Sequence, residues 1–143
     1  MKRILPVILI LFGVCTSALA QKGLAIQSAF DELAVRQNAT EVVMGAGRLK
    51  NYKLSLFHSL EIKNPTAAEQ RRVEALLRTD AEHATLHEES AGHKLYELPQ
   101  RKGIHRYIFY RQTSQSLILI YIEGKASLKQ IKEQFLKNEK TKE

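Results

Sequence analysis

Positions 117–122 read Leu-Ile-Leu-Ile-Tyr-Ile, six apolar residues in succession, closed by Glu123-Gly124. Successive side chains of a β-strand point to opposite faces, so a strand of this composition needs cover on both sides. The segment is expected to be the central, doubly covered strand of a sheet, and the remaining chain has to supply the neighbours and the cover.

Neighbouring strands are legible from alternation. Positions 104–111 form a second strong strand run, separated from the first by the polar loop Gln112-Thr113-Ser114-Gln115. Between 52 and 62, Leu54, Leu56, His58, Leu60 and Ile62 alternate with Lys53, Ser55, Phe57, Ser59 and Glu61, which predicts a half-buried strand. Positions 39–44 are β-rich, and Gly45-Ala46-Gly47 is expected to turn that strand into the next. Around 84–98, Ala84 and Leu86 alternate with polar residues, and Gly92 marks a hairpin across 89–92; a helix continuing through His87 is the alternative.

Helices are expected at three places. Ile26, Phe30 and Leu33 recur at helical spacing within 24–36. Asn64-Pro65 announces a second start, with Asn64 as cap and Val73, Leu76 and Leu77 as the buried stripe, running to about Thr79. Ser127 and Gln130 form a capping box ahead of Leu128, Ile131, Phe135 and Leu136. The sum is an α+β domain: a mainly antiparallel sheet of five to six strands with helices packed on one face.

The N-terminus reads as an export signal. Lys2 and Arg3 precede an uncharged run from Ile4, and Ala18-Leu19-Ala20 fits the small-x-small cleavage rule. Residues 1–20 are then a cleaved signal peptide and 21–143 one α+β domain in the periplasm or outside the cell. A membrane anchor is the rival reading, but the uncharged stretch of seventeen residues is at the bottom of the range of about 17–25 needed to span a bilayer. Cys15 lacks the flanking residues of a lipoprotein signal. Cleavage would remove this single cysteine together with Lys2 and Arg3, taking Lys plus Arg from 22 to 20 against 15 acidic residues, so the charge falls from +7 to +5. A mature chain of this length folds without cross-links and has no thiol for catalysis or metal binding. Its basic balance points to an envelope protein or an anionic glycan or lipid surface as partner, since long-range attraction raises encounter rates. The basic residues scatter without an aromatic-basic signature, which argues against nucleic acid.

The segment His83 to His93, HATLHEESAGH, gathers three of the five histidines. On a helix His83 and His87 would share a face and could share a metal. On a strand they would stand about 13 Å apart, too far to chelate one ion. The strand reading leaves His83, His87 and His93 as polar residues of a hairpin and gives no metal, cofactor or catalytic residue. The alternative is a metal-dependent hydrolase with Glu88 or Glu89 as base. His58 and His105 sit inside strand patterns and are expected to be packed or paired.

Other lookalikes fail on spacing. Glu123-Gly124-Lys125-Ala126-Ser127 has Leu119 where a phosphate-binding loop needs its first glycine, and Ala126 where it needs Ser or Thr. Gly45-Ala46-Gly47 has Lys50 in place of a dinucleotide loop's third glycine. No nucleophile elbow is present, and Asp31 and Asp80 are the only aspartates.

The segments NATEVV, LSLFHSL, RYIFYR and LILIYIEG, with the short export signal, resemble a family of small exported proteins of unknown function from Gram-negative gut anaerobes. The resemblance implies a single envelope or secreted domain and carries no reaction or site residue. The expected function is binding of another envelope component by a sheet face or edge, without catalysis. N-terminal sequencing of the exported protein should begin at Gln21, whereas Met1 retained on a membrane-bound chain would identify an anchor.

Overall fold

A computed structural model describes residues 23–90 and 92–141. The expected signal peptide, with Cys15, lies outside the described residues. The elements are α1 (Ile26–Leu33), β1 (Ala39–Gly45), α2 (Ala46–Leu49), a 3-10 turn (Lys50–Tyr52), β2 (Leu54–Lys63), α3 (Ala67–Ala81), β3 (Leu86–Ser90), β4 (His93–Arg101), β5 (Ile104–Gln112), β6 (Ser116–Gly124) and α4 (Leu128–Thr141). The six strands form one antiparallel sheet in the order β1-β2-β6-β5-β4-β3. No described helix is long and apolar enough to cross a membrane.

β6 lies inside the sheet, paired with β2 on one side and β5 on the other. Its odd positions Leu117, Leu119 and Tyr121 face a layer made by α1 and α3, where Phe30, Leu33, Val73 and Leu77 pack with Leu60, Ile62, Tyr96 and Ile108. Ile122 points the other way, into a second cluster with Leu49, Leu54, Tyr107, Ala126 and Ile131, against which Phe57, Phe109 and Ile120 are partly buried. The α+β class, the antiparallel pairing and the strand number follow the sequence. Helix placement is broader than helices on one face: α1 and α3 cover one side, and α4 lays Ile131 on the other. The apolar even positions of β6 explain this, because leaving them in water would forfeit about 25 cal/mol for each Å² of apolar surface.

Local chemistry accounts for the helix boundaries. The expected cap Asn64 is displaced: it takes a left-handed backbone, φ 51°, and donates its N–H to the Gln115 carbonyl at 2.7 Å. Thr66 caps α3 instead, accepting from the Glu69 amide while the Glu69 carboxylate accepts from the Thr66 amide. This reciprocal box satisfies two otherwise orphan donors, which a cap at Asn64 followed by Pro65 could not match. The helix then runs past Thr79 to Ala81. At α4, Ser127 and Gln130 make the expected box, with bonds of 2.9 and 3.3 Å.

The glycine turn after β1 is replaced by α2 and the 3-10 turn. Neither Gly45 nor Gly47 has positive φ, so neither makes a tight reversal; the helical detour buries Leu49 in the second cluster. Gly92 does serve as a turn residue. It has φ +75°, and a Cβ there would stand 2.7 Å from the Gln112 carbonyl oxygen.

Leu119 is fully buried, so Leu119→Ala should destabilise the fold by about 2–5 kcal/mol, measured by chemical denaturation. A near-neutral effect would be incompatible with a central β6.

Candidate functional site

The histidine segment is split between a turn and a hairpin. His83 lies in the turn after α3, donating its amide to the Asp80 carbonyl at 3.2 Å, so the expectation that it shares a strand with His87 is corrected. The chain first closes α3 and extends only at Leu86. His87 pairs with Tyr96 across the β3–β4 ladder, and its ring meets that tyrosine edge-on at 5.1 Å. His93 pairs with Ser90, three positions from His87, and so points to the opposite face. Glu88 and Glu89 also divide: Lys132 of α4 donates to Glu88 at 2.6 Å, and Tyr96 donates to Glu89 at 2.7 Å. Among the described residues no group of three or more His, Cys, Asp or Glu is placed to hold a metal ion.

The other histidines occupy packed positions, as their strand patterns suggest. His58 is buried on the helix-covered face, stacked on Phe30 at 3.8 Å and bonded to Glu41. His105 lies 3.4 Å from Glu97 and stacks with Tyr107.

The strand-to-helix turn Glu123-Gly124-Lys125 is committed to structure. The amides of Lys125 and Ala126 both donate to the Lys53 carbonyl, at 2.9 and 3.1 Å. A Cβ on Gly124 would come within 2.5 Å of that same oxygen. The donors that a phosphate-binding loop would offer are occupied here by the start of β2.

A buried polar group joins the layers near the start of α1. Asp80, in the last turn of α3, accepts from the Ala25 and Ile26 amides at 2.7 and 2.8 Å. It thereby caps α1, whose own cap position is Ala25 and offers no side-chain acceptor. Burial pushes the Asp80 carboxyl above the usual carboxylate range, opposed by the two amide donors, Arg106 and His83. Arg106 is itself buried and donates to the Tyr121 hydroxyl at 3.1 Å, which donates to Glu123 at 2.6 Å. Sequence reasoning singled out Asp80 only as one of two aspartates. Its amide donors lie more than fifty residues away, so no local pattern announces them.

The two sheet edges differ. β3 is short, carries Glu88 and Glu89, and is held by Lys132 from α4. β1 is seven residues long, pairs with β2 in unbroken register, and contains neither lysine nor proline. Val42 and Val43 stand 39% and 49% exposed on opposite faces of β1. Proteins commonly protect such edges with charge, proline or a bulge, because unpaired N–H and C=O groups recruit another strand. β1 is the less protected of the two edges of this sheet.

Four tyrosines are buried within the sheet. Burial raises each phenol, that of Tyr107 to about 12, and raises Tyr96, Tyr110 and Tyr121 further, with Glu89, Glu74 and Glu123 as neighbouring acceptors. A raised folded-state pKa means that the associated stability is fully present below the ordinary phenol value of about 10 and is lost as pH rises through the folded values. In an alkaline absorbance titration these four phenols should ionise together with loss of near-ultraviolet circular dichroism. Ionisation of all four before any structural change would show that they are open to water.

No curated protein matches the chain. The sequence matches a family of unknown function, DUF6108, over residues 13–135, a span that includes every strand of the sheet and most of α4. The chain belongs to the DUF6108 family of unknown function.

Proposed function

We propose that this chain is an exported, non-catalytic domain, periplasmic or extracellular, that binds another envelope component by accepting an extended segment of it along β1. The observation that carries the reading is the open edge: seven residues in continuous register, with Val42 and Val43 exposed. Strand addition draws affinity from main-chain hydrogen bonds and selectivity from alternate side chains, and β1 offers both. Its layout suits that role mechanically. β2 and β6 anchor behind it in the doubly covered centre of the sheet, so a strand pulling on β1 pulls on a rigid body.

Chemistry at the histidine segment gains no comparable support. His87 and His93 project from opposite faces of the hairpin, and Glu88 and Glu89 are bonded to Lys132 and Tyr96. A photo-crosslinking residue at Val43, in the native envelope, should yield an adduct with an envelope protein. The same residue at Ser90, on the β3 edge, should yield none. Equal adducts from both positions, or none from Val43, would remove the basis for strand addition at β1.

A further inference from the structure

We propose that the end of the sheet where β2 begins and β6 stops is a docking surface for a bilayer carrying anionic phospholipid headgroups. It uses neither Val42 nor Val43 of the β1 edge, so it stands or falls apart from strand addition.

The basic residues that make this surface are scattered in sequence and gathered by the strand order. Leu54 of β2 and His105 of β5 both pair with Gly124 of β6, and Arg101 of β4 pairs with Ile104 of β5. Three connections therefore lie side by side: 46–53 between β1 and β2, 102–103 between β4 and β5, and 125–127 between β6 and α4. With Arg101 they hold Arg48, Lys50, Lys53, Lys102 and Lys125, all exposed, and no Asp or Glu. None of the six forms an ion pair with a described residue. The carboxylates of adjoining strand positions, Glu97 and Glu123, are engaged by His105 and Tyr121. A fourth connection at this end, from α3 to β3, lies beyond β4 and adds Glu82. The opposite end of the sheet differs: segments 34–38, 64–66 and 113–115 carry Arg36 as their one charged residue, and it lies 3.7 Å from Glu69.

Backbone bonds hold these like charges together. The Lys53 carbonyl accepts from the Lys125 and Ala126 amides at 2.9 and 3.1 Å, which fixes two cationic connections against each other. Turn geometry does not call for lysine here, since Lys53 and Lys102 have φ 58° and 55°, in the left-handed region that favours Gly or Asn. An uncompensated cluster of one sign repels itself and attracts a surface of the other sign. Clusters of about four to eight Lys and Arg are the pattern by which anionic lipid is recognised. Two features favour a bilayer over a soluble polyanion. The cations sit on neighbouring turns in a row about 14 Å wide from β2 to β4, so a flat partner meets all of them within the screening length of about 8 Å. Tyr52 stands among them 51% exposed, and tyrosine suits a membrane interface, where its ring meets apolar chains and its hydroxyl stays wet.

Vesicle co-sedimentation tests the surface. The purified chain should bind vesicles of phosphatidylcholine with phosphatidylglycerol at least about tenfold more tightly than phosphatidylcholine alone, and the binding should fall as salt is raised. Lys50→Glu with Lys125→Glu should weaken that binding at least about tenfold. Lys63→Glu with Arg71→Glu changes the net charge equally at exposed positions outside the surface, and should weaken it by less than about threefold. Lys50→Gln with Lys125→Gln should act in the same direction by a smaller factor, which preserves the test if circular dichroism shows the reversed pair to be unfolded. Equal losses in the two reversed pairs would reduce the effect to net charge and overturn the proposal. Equal binding to neutral and anionic vesicles would assign membrane contact to the uncharged run from Ile4 and overturn it too. Binding to soluble polyglutamate without binding to anionic vesicles would make an acidic protein the partner, and binding to neither would remove the docking surface; both results overturn the proposal. Each of these outcomes leaves crosslinking at Val43 unaffected.

Discussion

Two-sided burial of β6 is the constraint on which the architecture depends. Leu117, Leu119 and Tyr121 on one face and Ile122 on the other all lie out of water, and a single layer of helices could cover only one of the two faces. α1 and α3 supply one cover; α4, with Leu49 from α2, contributes the other. The position of β6 in the sheet follows from the same requirement. A strand that needs cover above and below also gains from neighbours on both edges, and β2 and β5 provide them along nearly its whole length. From β6 outward the requirement relaxes, until β1 has valines in water and β3 is dominated by charge.

Much of this was legible in the sequence because the signals are local. The alternation of Leu54 to Ile62, the continuous run at 117–122, the turn at Gly92 and the box at Ser127 each depend on residues within a few positions of one another, and each has its place in the fold. Local signals also compete. Asn64-Pro65 and Thr66-Ala67-Ala68-Glu69 both announce a helix start, and the pair that satisfies two backbone donors reciprocally prevails over the one that satisfies fewer. The double glycine around Ala46 suggested a reversal because glycine permits one; the need to bury Leu49 chose a helical turn instead.

The parts that escaped are those made by residues far apart in sequence. Asp80 and the amides of α1, Arg106 and Tyr121, Glu41 and His58 are all contacts set by the completed sheet. The histidine segment illustrates the same limit. Its composition suggested convergence on an ion, but the β3–β4 register points His87 and His93 to opposite faces. The open edge at β1 was readable only as a β-rich stretch, because edge and interior strands differ in neighbours more than in composition. Membership of a family of unknown function fixes what the chain is related to.

The bond between Asp80 and the start of α1 bears on the order in which this chain can fold. A chain emerging N-terminus first presents the α1 amides long before it presents their acceptor. An eight-residue helix without a cap is a poor structure by itself in water. β2 waits longer still, since its inner neighbour β6 begins at Ser116. Until that strand appears, a vectorially emerging chain has the β1–β2 pair, the β3–β4–β5 ladder and the α1–α3 layer, with no strand to join the two parts of the sheet. Long-range closure of this kind is slow relative to helix formation. The two parts of the sheet are thus joined by the last strand to emerge, since β6 pairs with β2 on one side and β5 on the other.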